Sequence, residues 1–93
     1  MPRSALLDTS FVVASLDARD TLHTSAMALD TQLRDEGVSY VLVDLVVLET
    51  AGVLARRAEE RRDATTAQAA LSTLRHWSES PDAVAHIGPD LPE

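Results

Sequence analysis

Short apolar runs alternate with longer segments of helical periodicity along this chain, and that order limits the folds open to it. Ala5, Leu6 and Leu7 form one apolar run, which ends at Asp8, and residues 38–43 form a second run rich in β-branched residues. Both runs are too short for helices and indicate buried strands. Because long helical segments separate them, the strands are expected to pair in parallel, which requires crossover connections.

Four helices are predicted around these strands. Ser10 is the expected N-cap of the first helix and Asp44 that of the third, since their side-chain oxygens can accept from free amides of the first turn. The third helix is apolar around nearly its whole circumference, so it is expected to be mostly buried. The predicted helices cover residues 11–16, a segment from 22 that Gly37 ends, residues 45–58 and residues 63–77.

Residues 82–87 are the ambiguous segment, because Ser80 followed by Pro81 could also begin a helix. Alternation of Val84 and His86 with their neighbours favours an edge strand. The resulting order is strand, helix, helix, strand, helix, helix, strand. It predicts one α/β domain over residues 1–93, with a parallel sheet covered by helices on both faces as three α/β/α layers. Ligands of such sheets gather at the carboxyl ends of the strands, where Asp8 is expected.

Charge and composition exclude several classes of protein. The net charge is -7 and the sequence pI is about 4.7, the opposite of the basic surface typical of a tight, non-specific nucleic-acid binder. The chain has no cysteine, so any metal must be held by oxygen or imidazole. No apolar run has the length of a signal-peptide core or a membrane span, which makes a cytoplasmic location the default expectation.

A local basic group lies at the end of the third predicted helix. It consists of Arg56, Arg57, Arg61 and Arg62, of which Arg56 and Arg57 are the candidates for contact with RNA. Glu59 and Glu60 interrupt this group, and a mixed cluster of this kind is more often a solvated helix surface. Contact with RNA is therefore the less common of the two interpretations.

Asp8 and Glu49 are the candidate catalytic residues. Residues one turn before and after Glu49 are apolar, so its carboxylate needs a proton, a cation or a wet cleft. Gly52, which lies one turn after Glu49, suggests close approach by another backbone or a ligand. Two carboxylates suit Mg²⁺ or Mn²⁺, which would activate a water for phosphodiester hydrolysis, and Ser10 could hold a metal-bound water or the phosphate.

Simpler interpretations of the same residues stay open. An Asp after a strand often only caps the next turn, and a Glu within a helix is more often solvated than a ligand. Asp17, Asp20 and His23 could also bind a metal, but a turn that leads into a helix explains them with fewer assumptions. The histidines show no spacing typical of a zinc site.

Three segments of the sequence resemble a PIN domain of the VapC toxin type. Residues 5–11, Ala-Leu-Leu-Asp-Thr-Ser-Phe, match the opening strand and first acidic motif of that family. Residues 17–26 resemble the following segment with its Asp, Asp, His and Ala, and residues 42–49 resemble the strand and helix with the second acidic motif. The likeness continues more weakly through Trp77 to the predicted strand at 82–87.

The resemblance implies a Mg²⁺- or Mn²⁺-dependent endoribonuclease that acts on RNA. It implies Asp8 and Glu49 as metal ligands and Ser10 as a supporting residue, a homodimer, and inhibition by a VapB-like antitoxin that fills the acidic cleft. Family members continue for several tens of residues beyond Glu93 and carry a third acidic motif that this sequence lacks. We therefore expect a PIN-like fold that is truncated after about three strands, with impaired or absent activity.

Two other functional classes fit the sequence. Without a third acidic motif, the chain could be a non-catalytic PIN-like module that binds an antitoxin-like partner. It could also be an unrelated acidic α/β domain in which the motifs occur by coincidence.

Overall fold

The computed structural model describes residues 3–79 and the backbone of residues 84–87. The expected α/β class and order of elements are confirmed. The strands are β1 (Ser4–Leu6), β2 (Ser39–Val43) and β3 (Val84–Ile87), and the helices are α1 (Thr9–Leu16), α2 (His23–Asp35), α3 (Asp44–Arg61) and α4 (Ala64–Glu79). Residues 80–83, which include the start of the predicted last strand, lie outside the described residues.

The three strands form one parallel sheet in the order β1-β2-β3. Leu6 of β1 pairs with Val41 of β2, and Val43 of β2 pairs with Ile87 of β3. All carboxyl ends therefore lie at the same edge of the sheet. Asp8 follows β1 at this edge, as predicted.

The core lies on one face of the sheet. Tyr40 and Leu42 alternate along β2 and are buried on that face with Leu7, Val12 and Leu74, and all four helices contribute side chains around this cluster. On the opposite face Leu6, the neighbour of Val41, is 70% exposed. Consecutive right-handed crossovers along the order β1-β2-β3 fall on the same side of the sheet. Within the described residues, the expected cover on both faces is therefore not found.

Two details of α1 and α3 differ from the prediction. The N-cap of α1 is Asp8 rather than Ser10, and α3 begins at Asp44 with Val43 as the N-cap.

The expectation that α3 is mostly buried is wrong, since Leu45 and Leu48 are 64% and 70% exposed. Because every side of this helix is apolar near its start, the sequence pattern does not reveal which side faces the core.

Tyr40 brings a hydroxyl group to the central core cluster. Its ring contacts Phe11 edge-on at a centroid distance of 6.1 Å, and its hydroxyl donates to Asp30 Oδ1 at 2.5 Å. Arg34 lies over the ring at 5.3 Å and also pairs with Asp30 at 2.9 Å. These contacts attach α2 to β2. Burial, followed by the hydrogen bond to the Asp30 carboxylate, raises the pKa of Tyr40 to about 12.

The single tyrosine makes this pKa directly measurable. We expect the absorbance of Tyr40 at 295 nm to titrate near pH 12 while the protein is folded, and near pH 10 in urea. Because the folded pKa is the higher one, the stabilisation is complete below pH 10 and is lost as the pH rises through about 12. An Asp30→Asn variant should lower the folded midpoint. An unchanged midpoint in that variant would show that Asp30 does not hold the hydroxyl.

Among residues 3–79 and 84–87, none of the helices has the length and apolar composition required to cross a membrane.

Candidate functional site

Asp8 lies where the chain leaves β1 and enters α1. Its backbone is extended, with φ -102° and ψ 168°, and its side-chain Oδ1 accepts from the amide of Phe11 at 2.9 Å. The residue is otherwise exposed. The simple interpretation of Asp8 as a cap is thus confirmed, and it leaves room for a further role, because a carboxylate offers about four acceptor positions on its two oxygens.

Glu49 lies in the second turn of α3 and is exposed rather than enclosed by its apolar neighbours. Thr9 Oγ1 donates to Glu49 Oε1 at 2.7 Å. This bond joins α3 to the first residue of α1, next to Asp8 in the chain. The carboxylate of Glu49 is therefore held at the residue that follows Asp8, near the carboxyl end of β1.

Thr9 is the residue of this site that sequence reasoning missed. It stands inside the Asp8-Thr9-Ser10 motif, so its position beside the candidate ligand was visible, but a threonine in the first turn of a helix commonly forms only local backbone bonds. Its contact with Glu49 depends on how α1 packs against α3. No periodicity within either helix indicates that packing.

The donors at this site suit a magnesium- or manganese-type ion. Mg²⁺ usually keeps several waters and takes only one or two protein carboxylates, and both metals prefer oxygen ligands. Among the described residues, no group of three or more His, Asp or Glu side chains is placed to hold a metal. The donor set of Asp8 and Glu49 thus fits a hydrated ion with two protein ligands, and it does not fit a closed cage.

Ser10 lies in the first turn of α1 and is exposed. It lines two clefts, one shared with Asp8 between α1 and α2, and one shared with Thr9 and Arg57 between α1 and α3. Ser10 therefore borders open space on both sides of the start of α1. This position is compatible with the expected supporting role.

Arg57 has a structural role that the sequence did not indicate. Its Nη1 donates to Asp17 at 2.7 Å and to Asp20 at 2.8 Å, and Arg61 Nη1 donates to Asp17 at 2.9 Å. The guanidinium of Arg57 is thus paired with two carboxylates, which the sequence did not indicate, and its contact with RNA stays a prediction. Arg56 is exposed and stays a candidate.

The same ion pairs explain the acidic turn between α1 and α2. Burial alone would raise the pKa of Asp17, but hydrogen bonds from Arg61, Arg57 and the Arg19 amide outweigh it and lower the pKa to about 2. A hydrogen bond from Arg57 also lowers the pKa of Asp20. Both carboxylates are thus ionised and used in fastening this turn to α3, so the structural interpretation of the turn is favoured over a metal site.

Geometry bears on two other expectations. His23 Nδ1 donates to the carbonyl oxygen of Ala14 at 2.7 Å, which gives this histidine a structural contact. Gly52 is exposed, and a Cβ built there would have nothing within 4 Å. Within the described residues no other backbone therefore approaches Gly52 closely, and the approach of a ligand stays a prediction.

Comparison of the chain with protein-family models, with curated protein sequences and with solved structures found no match. Function must therefore be argued from the residues themselves.

Proposed function

We propose that this chain is a PIN-like, metal-dependent ribonuclease unit in which Asp8 and Glu49 share one Mg²⁺ or Mn²⁺ ion. The observation that carries the proposal is the 2.7 Å hydrogen bond from Thr9 to Glu49, which holds the second carboxylate beside the segment of the first. Support also comes from the parallel sheet, whose carboxyl edge is the usual position for a ligand. The VapC-like motif order in the sequence agrees with both.

The chemistry follows from the donors. When bound, the ion supplies a metal-activated water and neutralises charge on the phosphoryl group. The chain's own contribution is positional. Asp8 is fixed by its cap to the Phe11 amide and Glu49 by Thr9, so both carboxylates are oriented before an ion arrives. In this proposal the Ser10 hydroxyl donates to a phosphate oxygen or accepts from a water.

Metal dependence is the first test of this proposal. We expect the purified chain, which lacks the third acidic motif, to cleave structured and single-stranded RNA only slowly with Mn²⁺ or Mg²⁺, and to lose that activity completely with EDTA. Restoring Mn²⁺ should restore cleavage. RNA cleavage that persists in EDTA would contradict the proposal, since a contaminating metal-independent nuclease or a different chemistry would then be responsible.

A non-catalytic interaction module is the second candidate, and exposed apolar side chains favour it. Leu45 and Leu48 lie one turn apart on α3 and are largely exposed, beside the acidic Glu49. Such a surface suits an antitoxin-like peptide with apolar and basic residues. If the chain is such a module, we expect a peptide of this type to bind and the double replacement Leu45→Ser with Leu48→Ser to abolish that binding. We also expect RNA to stay intact with Mn²⁺.

Homodimer formation, implied by the family resemblance, stays a proposal.

A further inference from the structure

A cleft between α1 and α2 opens directly beside Asp8. Its volume is about 270 Å³, and Asp8 and Ser10 line it at the start of α1. Phe11 and Ala14 form one wall, and Leu22 and Leu29 contribute to the other. The volume lies just below the range of about 300–1,000 Å³ found for ligand pockets, so the cleft has room for a single planar group and not for a helix.

The walls of this cleft are apolar although they face solvent. Leu22 is 57% exposed and Leu29 is 43% exposed. Phe11 is half-buried and contacts Tyr40 edge-on. The polar groups at the cleft are Asp8 and the hydroxyls of Ser10 and Ser25. An apolar cleft with a few polar groups at its mouth has the composition of a site for a flat, partly polar ligand.

We propose that this cleft holds one unpaired base of the RNA, at a nucleotide adjoining the phosphate that is bound near Asp8. The inference rests on the proposed function and adds how the substrate is recognised. Ser10 belongs both to this cleft and to the cleft that contains Thr9, so a strand with its phosphate at Asp8 can place a neighbouring base against Phe11 and Leu29.

The charge of the chain gives this base contact its importance. With a net charge of -7, and with Arg57 and Arg61 occupied by Asp17 and Asp20, the surface offers few cations to phosphates. Most of the binding free energy must then come from stacking and apolar contact, which accept any base. Bases in a duplex are already stacked and paired, so the cleft selects single-stranded segments.

The test is binding of short single-stranded RNA in which one nucleotide at a time lacks its base. Binding is measured by fluorescence anisotropy with Ca²⁺, and cleavage is measured separately with Mn²⁺. We expect one abasic position, next to the cleaved phosphate, to weaken binding about five- to hundredfold, which is the range for loss of one stacked base. The other abasic positions should have much smaller effects.

Two matched variants of α2 test whether the base at the sensitive position binds in the cleft. Leu29→Ser removes a wall of the cleft, whereas Met27→Ser changes a residue of the same helix with nearly the same exposure, 41%, that does not line it. Leu29→Ser should bind intact and abasic RNA equally weakly. Met27→Ser should keep the wild-type difference in affinity between intact and abasic RNA. That result would show that the effect of Leu29→Ser does not come from a change in the stability of α2.

The possible results separate this inference from the function on which it rests. If RNA is cleaved but no abasic position matters, or if Leu29→Ser keeps the full difference, the base cleft is wrong while the ribonuclease proposal stands. If the chain neither binds nor cleaves RNA, both are wrong. Both proposals are supported if one abasic position weakens binding, if Leu29→Ser abolishes that effect, and if Met27→Ser preserves it.

Discussion

Replacing Glu49 with glutamine is expected to lower the rate of Mn²⁺-dependent RNA cleavage about 100-fold or more, because loss of a metal ligand removes several kcal/mol of transition-state stabilisation. The amide oxygen of glutamine can still accept from Thr9, so the packing of α1 against α3 is preserved. Asp8→Asn should have a similar effect. Asparagine caps a helix about as well as aspartate, so the bond to the Phe11 amide is kept.

Glu60→Gln is the matched control for these two variants. Glu60 is an exposed carboxylate on the same helix as Glu49, near its other end, and its replacement removes the same charge. Activity of Glu60→Gln should stay near that of the wild type, and the thermal unfolding of all three variants should be nearly unchanged. Equal cleavage by the wild type, Asp8→Asn and Glu49→Gln would rule out the shared-metal mechanism.

Replacing Asp17 with asparagine is expected to reduce the free energy of unfolding by about 2 kcal/mol at pH 7. Asp17 is 4% exposed and is bonded to Arg57 and Arg61. A pKa that falls from 3.8 to about 2 on folding corresponds to about 2.5 kcal/mol. The two arginines are about one-quarter to one-third exposed, so solvent screening reduces the expected effect somewhat.

The sign of the pH dependence follows from the lowered pKa. The carboxylate of Asp17 is the favoured form in the folded protein, so its stabilisation is present above about pH 4 and is lost as the pH falls through about 2. Urea unfolding at pH 7 and at pH 2 measures this effect. The difference in the free energy of unfolding between the wild type and Asp17→Asn should be large at pH 7 and small at pH 2.

Asp35→Asn is the control for the Asp17 prediction, since Asp35 is exposed at the end of α2. Its stability should stay within about 0.5 kcal/mol of the wild type at both pH values. A variant Asp17→Asn that is as stable as the wild type at pH 7 would show that the ion pairs with α3 contribute nothing net.

The order of helices and strands could be predicted because it depends on local patterns. Runs such as Ala5-Leu6-Leu7 are too short for a helix, whereas the spacing of Ala26 and Leu33 matches the period of an α-helix. The edge of the sheet at which Asp8 lies follows from strand direction alone. These features need no knowledge of which residues meet across the fold.

Contacts between elements could not be predicted in the same way. Leu45 and Leu48 are as apolar as the residues of α3 that pack on the core, and only the position of the sheet decides which side is buried. Likewise, the ion pairs of Arg57 could not be predicted, because its two partners, Asp17 and Asp20, are far away in sequence. The charge of a helix end therefore does not predict whether that charge is available to a ligand.

Binding of Mn²⁺ to the chain, followed by the electron paramagnetic resonance signal of the free ion, tests the central claim most directly. The wild type should bind one ion per chain. Asp8→Asn and Glu49→Gln should each weaken that binding about tenfold or more, while Glu60→Gln should bind as the wild type does. Wild-type protein that binds no Mn²⁺, or binding that survives both replacements unchanged, would contradict a site shared by these two carboxylates.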